Sequence, residues 1–246
     1  MYQNLNQILN TYSSININNI RAYNLLDRLD TKYIFNINQL ENILIQLKPF
    51  YDCFVINGNL ISKYNTLYYD YKDLNFYYQH HNGKLNRYKV RYRNYVESNI
   101  GFMEIKLKTN KNRTIKTRLQ SLLNDKFSHE QNNFFSQNKI ENPNKLKPQI
   151  WINYSRICLV SKSGVERVTL DINYEANYLK TNVTLNNIIF AEVKRIEKNN
   201  SPFINLVRSL NITEVGISKY CLGMALTNRS IKTNNFKENL RIINKI

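Results

Sequence analysis

The side chains best suited to chemistry in this sequence are cations set at every second position. In Arg87-Tyr88-Lys89-Val90-Arg91-Tyr92-Arg93, four positive groups alternate with Tyr, Val and Tyr. Successive side chains of an extended strand point to opposite faces, so Arg87, Lys89, Arg91 and Arg93 share one face. The same period separates Arg28, Asp30 and Lys32 from Leu29, Thr31 and Tyr33. It separates Glu104, Lys106 and Lys108 from Met103, Ile105 and Leu107. Arg167-Val168-Thr169-Leu170-Asp171 and Glu192-Val193-Lys194 repeat it, and Ile115-Lys116-Thr117-Arg118 and Tyr154-Ser155-Arg156 are weaker copies. One such strand reads as the polar side of a half-solvated sheet. Several with the same cationic face do not, because like charges aligned on neighbouring strands repel. Such a face is stable when anions occupy it or when water reaches all of it. The chemistry it suits is the grip of an elongated anion.

The whole chain points the same way. Its 246 residues hold 35 Lys and Arg against 18 Asp and Glu, a formal charge of +17 that implies an anionic partner. Hydrophobic residues at 42% and aromatics at 12% exclude wholesale disorder. No run of about 18 apolar residues suggests a spanning helix. The start, MYQNLNQILN, lacks the basic and apolar regions of a secretion signal. Cys53, Cys158 and Cys221 are odd in number and far apart, which fits neither a disulfide framework nor a zinc site. They read as buried free thiols of a reducing compartment, and the expected location is cytoplasmic. Basic and aromatic composition is also the signature of nucleic-acid binding. That reading predicts cations on an exposed face or tail; strict alternation favours an enclosed site, so no nucleic acid is expected.

The elements that position these cations follow from the pattern. The expected fold is α+β: a closed antiparallel barrel with the ionic face inward and helices packed outside. Asn38-Gln39-Leu40-Glu41 resembles a capping box, and Leu40, Ile43, Leu44 and Leu47 follow at helical spacing until Pro49. Ser201-Pro202 predicts a helix start ahead of Phe203, Leu206, Val207 and Leu210. Further helices are expected over Leu122 to Asn138, over Phe236 to Ile246 and in part of the first twenty residues. His80 and His81, before the turn signal Asn82-Gly83, read as packing or turn residues rather than an acid/base pair. Most of the 18 tyrosines are expected on the outward faces, with one or two free to stack on a base at the mouth of the site. With no linker and no repeat, residues 1–246 read as a single domain.

In order along the chain, these motifs resemble a known family. Arg28-Leu29-Asp30-Thr31-Lys32-Tyr33 is similar to the opening R-x-D-x-K-Y strand of VTC domains, the polyphosphate polymerase domains named from the vacuolar transporter chaperone. Tyr68-Tyr69-Asp70 through Arg87-x-Lys89-x-Arg91-x-Arg93-x-Tyr95 resembles the central motif, and Phe102-Met103-Glu104-Ile105-Lys106 the F-x-E-x-K strand. Lys116 and Arg118, Tyr154-x-Arg156, Arg167-x-Thr169-x-Asp171, Glu192-x-Lys194 and Ser218-Lys219-Tyr220 complete a match over about residues 25–225. The resemblance implies the triphosphate tunnel fold shared with CYTH-type triphosphatases and cyclases. One departure stands out: those triphosphatases open with E-x-E-x-K, whereas here Arg28 replaces the first carboxylate and only Asp30 is acidic.

The activity implied is transfer of the γ-phosphoryl group of a nucleoside triphosphate, ATP foremost, to an inorganic polyphosphate chain. The acceptor is already an oxyanion, so positioning and charge stabilisation carry the reaction and no general base is required. This accords with the lack of a P-loop, a G-x-G-x-x-G or a Ser/His/Asp arrangement. Lys32, Arg91, Arg93, Lys106, Lys116, Arg156, Arg167 and Lys219 are assigned to phosphate contacts at the reacting centre. Arg28, Arg87, Lys89, Lys108, Arg118 and Lys194 are assigned to substrate binding along the lumen. Glu192, isolated among cations, is placed to hold a divalent metal, Mn²⁺ or Mg²⁺; its alternative is an ion pair with Lys194. Asp30, Glu104 and Asp171 are further metal candidates that could equally pair with neighbouring cations. A separate membrane protein partner is also implied. The rival readings are a triphosphatase acting on tripolyphosphate or a nucleoside triphosphate, and a binding protein without activity.

Overall fold

Alternating segments become strands in a computed structural model that describes residues 2–16, 29–111, 113–196 and 201–246. The strands are β1 (Ser14–Ile15), β2 (Leu29–Asn36), β3 (Tyr51–Phe54), β4 (Ile61–Asp70), β5 (Arg87–Tyr95), β6 (Ile100–Lys108), β7 (Thr114–Gln120), β8 (Lys147–Ser161), β9 (Glu166–Tyr178), β10 (Thr181–Leu185) and β11 (Ile188–Arg195). The helices are α1 (Tyr2–Asn10), α2 (Leu40–Leu47), α3 (Asn75–His81), α4 (His129–Gln137), α5 (Pro202–Ser209), α6 (Lys219–Thr227) and α7 (Lys237–Lys245). The main path of the sheet runs β2-β11-β9-β8-β4-β5-β6-β7, antiparallel throughout. β10 extends from β9, β3 lies on β8, and β1 pairs β3 in parallel.

The closed barrel expected from the sequence is not formed by hydrogen bonds. Among the described residues β2 and β7 end the path and do not pair with each other. β7 is the most exposed strand of this path, with none of its seven side chains buried.

The expectation that the helices all pack outside is also corrected. α1, α2 and α5 do cover the outer face, where Leu9, Leu44, Phe203 and Val207 meet Phe35, Leu159, Val168 and Leu170. α4 covers the neighbouring outer surface, with Phe135 against Val90, Met103 and Ile105. α6 instead packs on the cation-bearing face: Tyr220, Leu222 and Met224 meet Tyr68, Ile150, Ile152, Tyr174 and Phe190. A bulge prepares this seat. The register of β8 against β9 shifts between Asn153 and Ser155, and Asn173 takes φ +52. The extra residue turns Tyr174 and Ala176 onto the same face as Asp171. Gly223 lets α6 come close, since a Cβ there would stand 2.5 Å from Ile152 Cδ1 and 2.7 Å from the Tyr174 hydroxyl. Most tyrosines are expected on the outward faces, yet Tyr64, Tyr68, Tyr154, Tyr174 and Tyr220 belong to this inner cluster.

Local signals were right about helices and less so about their ends. Ser201 caps α5 by accepting from the Ile204 amide at 3.1 Å. Asn36, not Asn38, provides the cap ahead of α2, accepting from the Asn38 amide at 2.8 Å at the start of a short 3₁₀ turn. The helix expected from Leu122 begins only at His129, because Ser128 and Gln131 form the capping box there. No helix among the described residues is long and apolar enough to cross a membrane.

Candidate active site

The sheet gathers the alternating cations on one concave face, in cross-strand rungs. On β5, β6 and β7, Arg91 stands opposite Glu104, which stands opposite Arg118. The next rung is all lysine: Lys89, Lys106, Lys116. Glu104 is 1% exposed and lies between Arg91 Nη2 and Lys116 Nζ, each at 2.6 Å. Arg91 also donates to the Tyr68 hydroxyl at 3.1 Å. Arg93, buried, donates to Thr66 Oγ1 at 3.3 Å and lies over the rings of Tyr64 and Tyr154 at 5.5 and 5.9 Å. Burial of a guanidinium is tolerated here because the ring faces are electron-rich.

Across β4, the second group is built on β8, β9, β11 and β2. Arg156 grips Asp171 with both Nε and Nη2, at 2.5 and 2.8 Å, and Lys219 Nζ reaches the same carboxylate at 2.7 Å. Glu192 lies 2.8 Å from Lys194 and 4.0 Å from Lys32. Arg167 is the cross-strand neighbour of Lys194, and its Nε is buried without a hydrogen-bond partner among the described residues. The Tyr154 hydroxyl is likewise buried and unpartnered.

α6 joins the two groups. Its cap Ser218 accepts from the Cys221 amide at 3.4 Å and from Lys89 Nζ at 2.7 Å, while Lys219 reaches Asp171. The positive end of the helix therefore adds to the cationic field. Asp70 fixes the helix in turn: its carboxylate accepts from the Tyr220 hydroxyl at 2.7 Å and from the amides of Tyr71, Phe76 and Tyr77.

Titration behaviour follows from this crowding. Desolvation on the concave face and neighbouring cations hold Lys89, Lys106 and Lys116 each down to about 8. Burial would raise Glu104, but Arg91, Arg93 and Lys116 outweigh it and hold the carboxyl at about 2. Arg156 and Lys219 likewise overcome burial at Asp171, at about 2. Lys194 and Lys32 do the same for Glu192, well below the usual carboxylate range.

The residues discriminate between ways of holding a metal. Among the described residues no three His, Cys, Asp or Glu side chains converge on one point. Glu104 and Asp171 stand as ion-pair partners, each shared by two cations. Glu192 forms the expected pair with Lys194, and among the described residues its ion pairs are with lysines, Lys194 and Lys32. The donor set thus does not suit an ion held by protein alone. It suits one held by a single carboxylate together with phosphate oxygens, the habit of Mg²⁺-type ions.

Of the remaining sequence candidates, Arg87 turns to the Lys84 carbonyl at 2.7 Å, Arg118 covers the Phe102 ring, and Lys108 makes no ion pair among the described residues. Asp30 is the cross-strand neighbour of Lys194. Arg28 lies outside the described residues. His81 packs against Tyr77 and Phe236 and meets Asn82 and Asn234 side chains, a packing role. Sequence reasoning assigned no role to Thr66, Tyr68, Asp70 and Ser218. Tyr64, Thr66 and Tyr68 share the two-residue period of the cations, so their face was readable. Asp70 was not, because its partners lie 6, 7 and 150 residues away.

Fold and site together define an α+β protein whose single large sheet presents a cation-lined concave face. The VTC domain model matches residues 27–228, and the chain belongs to that family. No curated protein matches it in sequence. Among solved structures it is similar to a candidate adenylate cyclase of Bacillus halodurans (TM-score 0.48, 12% identity, 78% of this chain and 96% of that one). It is also similar to a candidate adenylyl cyclase of Hippeastrum with a dominant triphosphatase activity (TM-score 0.47, 10% identity, 81% and 97%). A third is a candidate adenylate cyclase of Vibrio parahaemolyticus (TM-score 0.46, 13% identity, 79% and 97%).

Proposed function

We propose that the protein is a polyphosphate polymerase, moving the γ-phosphoryl group of ATP or another nucleoside triphosphate onto the end of an inorganic polyphosphate chain. The observation that carries this reading is the excess of positive charge on the concave face. Glu104, Asp171 and Glu192 are each already engaged by two cations, and Arg93, Arg167 and Lys106 make no ion pair of their own among the described residues. A linear polyanion with about one charge per phosphate supplies what is missing. An acceptor that brings its own oxyanion asks no nucleophile or general base of this face.

In the transfer, a terminal oxygen of the acceptor chain attacks the γ-phosphorus. The new O–P bond forms as the bond to the β-bridging oxygen breaks, and the nucleoside diphosphate leaves with that electron pair. No proton has to be removed from the acceptor. Arg91, Arg93 and Arg156 would meet the transferring group and its neighbours with the N–H groups that Glu104, Tyr68, Thr66 and Asp171 leave over, and the lysines add mobile point charges. Because these groups are held by Glu104, Asp171, Tyr68 and Thr66 before substrate arrives, they need little reorganisation during reaction. Glu192, with phosphate oxygens, would hold a divalent ion, Mn²⁺ or Mg²⁺, which when bound supplies charge neutralisation at the phosphates.

Incubation of the purified protein with ATP and Mn²⁺ is expected to give long-chain polyphosphate on a gel. Release of orthophosphate alone would convert the reading to a triphosphatase.

A further inference from the structure

Beyond the phosphate contacts, one end of the concave face carries aromatic groups that the transfer chemistry does not use. On the Arg93 rung of β5, β6 and β7 stand Phe102 and Gln120, and Tyr95 follows one rung beyond. The Tyr95 and Phe102 rings meet edge to face with centroids 5.8 Å apart, and Tyr64 meets Tyr95 at 5.1 Å. The Arg118 guanidinium covers the Phe102 ring at 4.7 Å. Phe102 and Tyr95 are half-buried and Arg118 is exposed, so the platform opens to solvent. It lies at the opposite end of these strands from α6, which approaches the Lys89 rung through Ser218.

We propose that Phe102, with Arg118 and Tyr95, is the docking platform for the base of the donor nucleotide. The proposal rests on the triphosphate reading of the site above. The physical case is stacking. A half-exposed aromatic face under a guanidinium plane is the surface on which a nucleobase stacks, and it favours any base because every base has a π-face. Position supports it: Arg93 shares the Phe102 rung, and Arg91 with Glu104 and then the Lys89–Lys106–Lys116 rung follow at ~7 Å per rung. A triphosphate laid along these rungs has its base at Phe102 and its γ-phosphate toward the N-terminus of α6. The nucleotide is thereby oriented, with its reactive end deep and its nucleoside at the mouth. Stacking of this kind predicts a preference for purines over pyrimidines and little discrimination between ATP and GTP.

The test compares ATP with inorganic tripolyphosphate, which has no base, by calorimetric titration of the wild-type protein and the Phe102→Leu and Phe102→Ala variants. Phe102→Leu keeps apolar bulk and removes the π-face, and thermal melting checks that each variant is folded. The expected result is that ATP affinity falls about tenfold in both variants, within the range for one lost base stack, while tripolyphosphate affinity stays within twofold. Equal losses for both ligands, or no loss for either, overturn the base platform while leaving the phosphate site standing. Failure of the wild-type protein to bind tripolyphosphate overturns the triphosphate reading itself, and the platform with it.

Discussion

On β5, β6 and β7 the concave face sets eight cations against one carboxylate, Glu104, whereas on β8, β9, β11 and β2 Arg156, Arg167, Lys194 and Lys32 face Asp171, Glu192 and Asp30. The first wing is a store of unbalanced charge. Its all-lysine rung places like charges directly opposite each other, an arrangement that costs stability in an empty site. The second wing is closer to neutral and geometrically set, with a bidentate Arg156–Asp171 pair tied to α6 through Lys219. The difference separates two tasks that one basic surface is often asked to do together. In the transfer proposed above, the first wing would hold the polyanion by charge and the second would fix where the phosphoryl group sits.

The contrast can be broken in several ways. Glu104→Gln should cost about 3–5 kcal/mol of stability, because it removes the buried carboxylate charge that Arg91 and Lys116 share. Asp171→Asn should cost less, since Glu192 still acts on Arg156. Urea unfolding of the two variants measures this, and the reverse order would show that charge imbalance is not what separates the wings. Arg91→Ala or Arg93→Ala should lower polymerisation about 10²–10³-fold in a protein that remains folded by circular dichroism. An active variant of either would remove the phosphate assignment of the first wing. Glu192→Gln should reduce turnover about tenfold or more and flatten its dependence on Mn²⁺ concentration. Unchanged metal dependence would leave Glu192 as the partner of Lys194 only.

A smaller effect concerns pH. Lys89, Lys106 and Lys116 are held at about 8, below the ordinary lysine value. Above pH 8 the unfolded chain binds more protons at these groups than the folded one, so the stability of the ligand-free protein should rise from pH 8 toward about pH 9.5. Tripolyphosphate affinity should fall over the same interval, because the lysines proposed to bind it would lose their charge. Melting curves with and without tripolyphosphate check both signs. The smallest effect is expected at Arg87, which turns to the Lys84 carbonyl. Arg87→Ala should change the KM for ATP by about twofold, the scale of an exposed charge.

Much of this was written locally. The two-residue period of β5 and β6 placed Arg91, Arg93, Glu104 and Lys106 on one face without reference to any other strand. Ser201-Pro202 and the stripe after it located α5, because capping and helical spacing are short-range effects. The misplacements differ in range. Asn38 lost the cap to Asn36 two residues away, a local competition, whereas α6 entered the basic face because the strands it meets lie far away in sequence. The register shift at Asn173 is of the same kind: nothing in Asp171-Ile172-Asn173-Tyr174 announces that the alternation skips a residue there.

From the sequence alone came the charge of the concave face and the identity of most of its cations, since backbone stereochemistry alternates side chains whatever the strand pairs with. Tertiary structure alone decided which carboxylates those cations share, that β2 and β7 end the sheet path unpaired with each other among the described residues, and that α6 enters the basic face rather than covering the outside. Those outcomes depend on register, on one bulge and on the absence of a side chain at Gly223, and each is fixed by contacts between segments far apart in the chain.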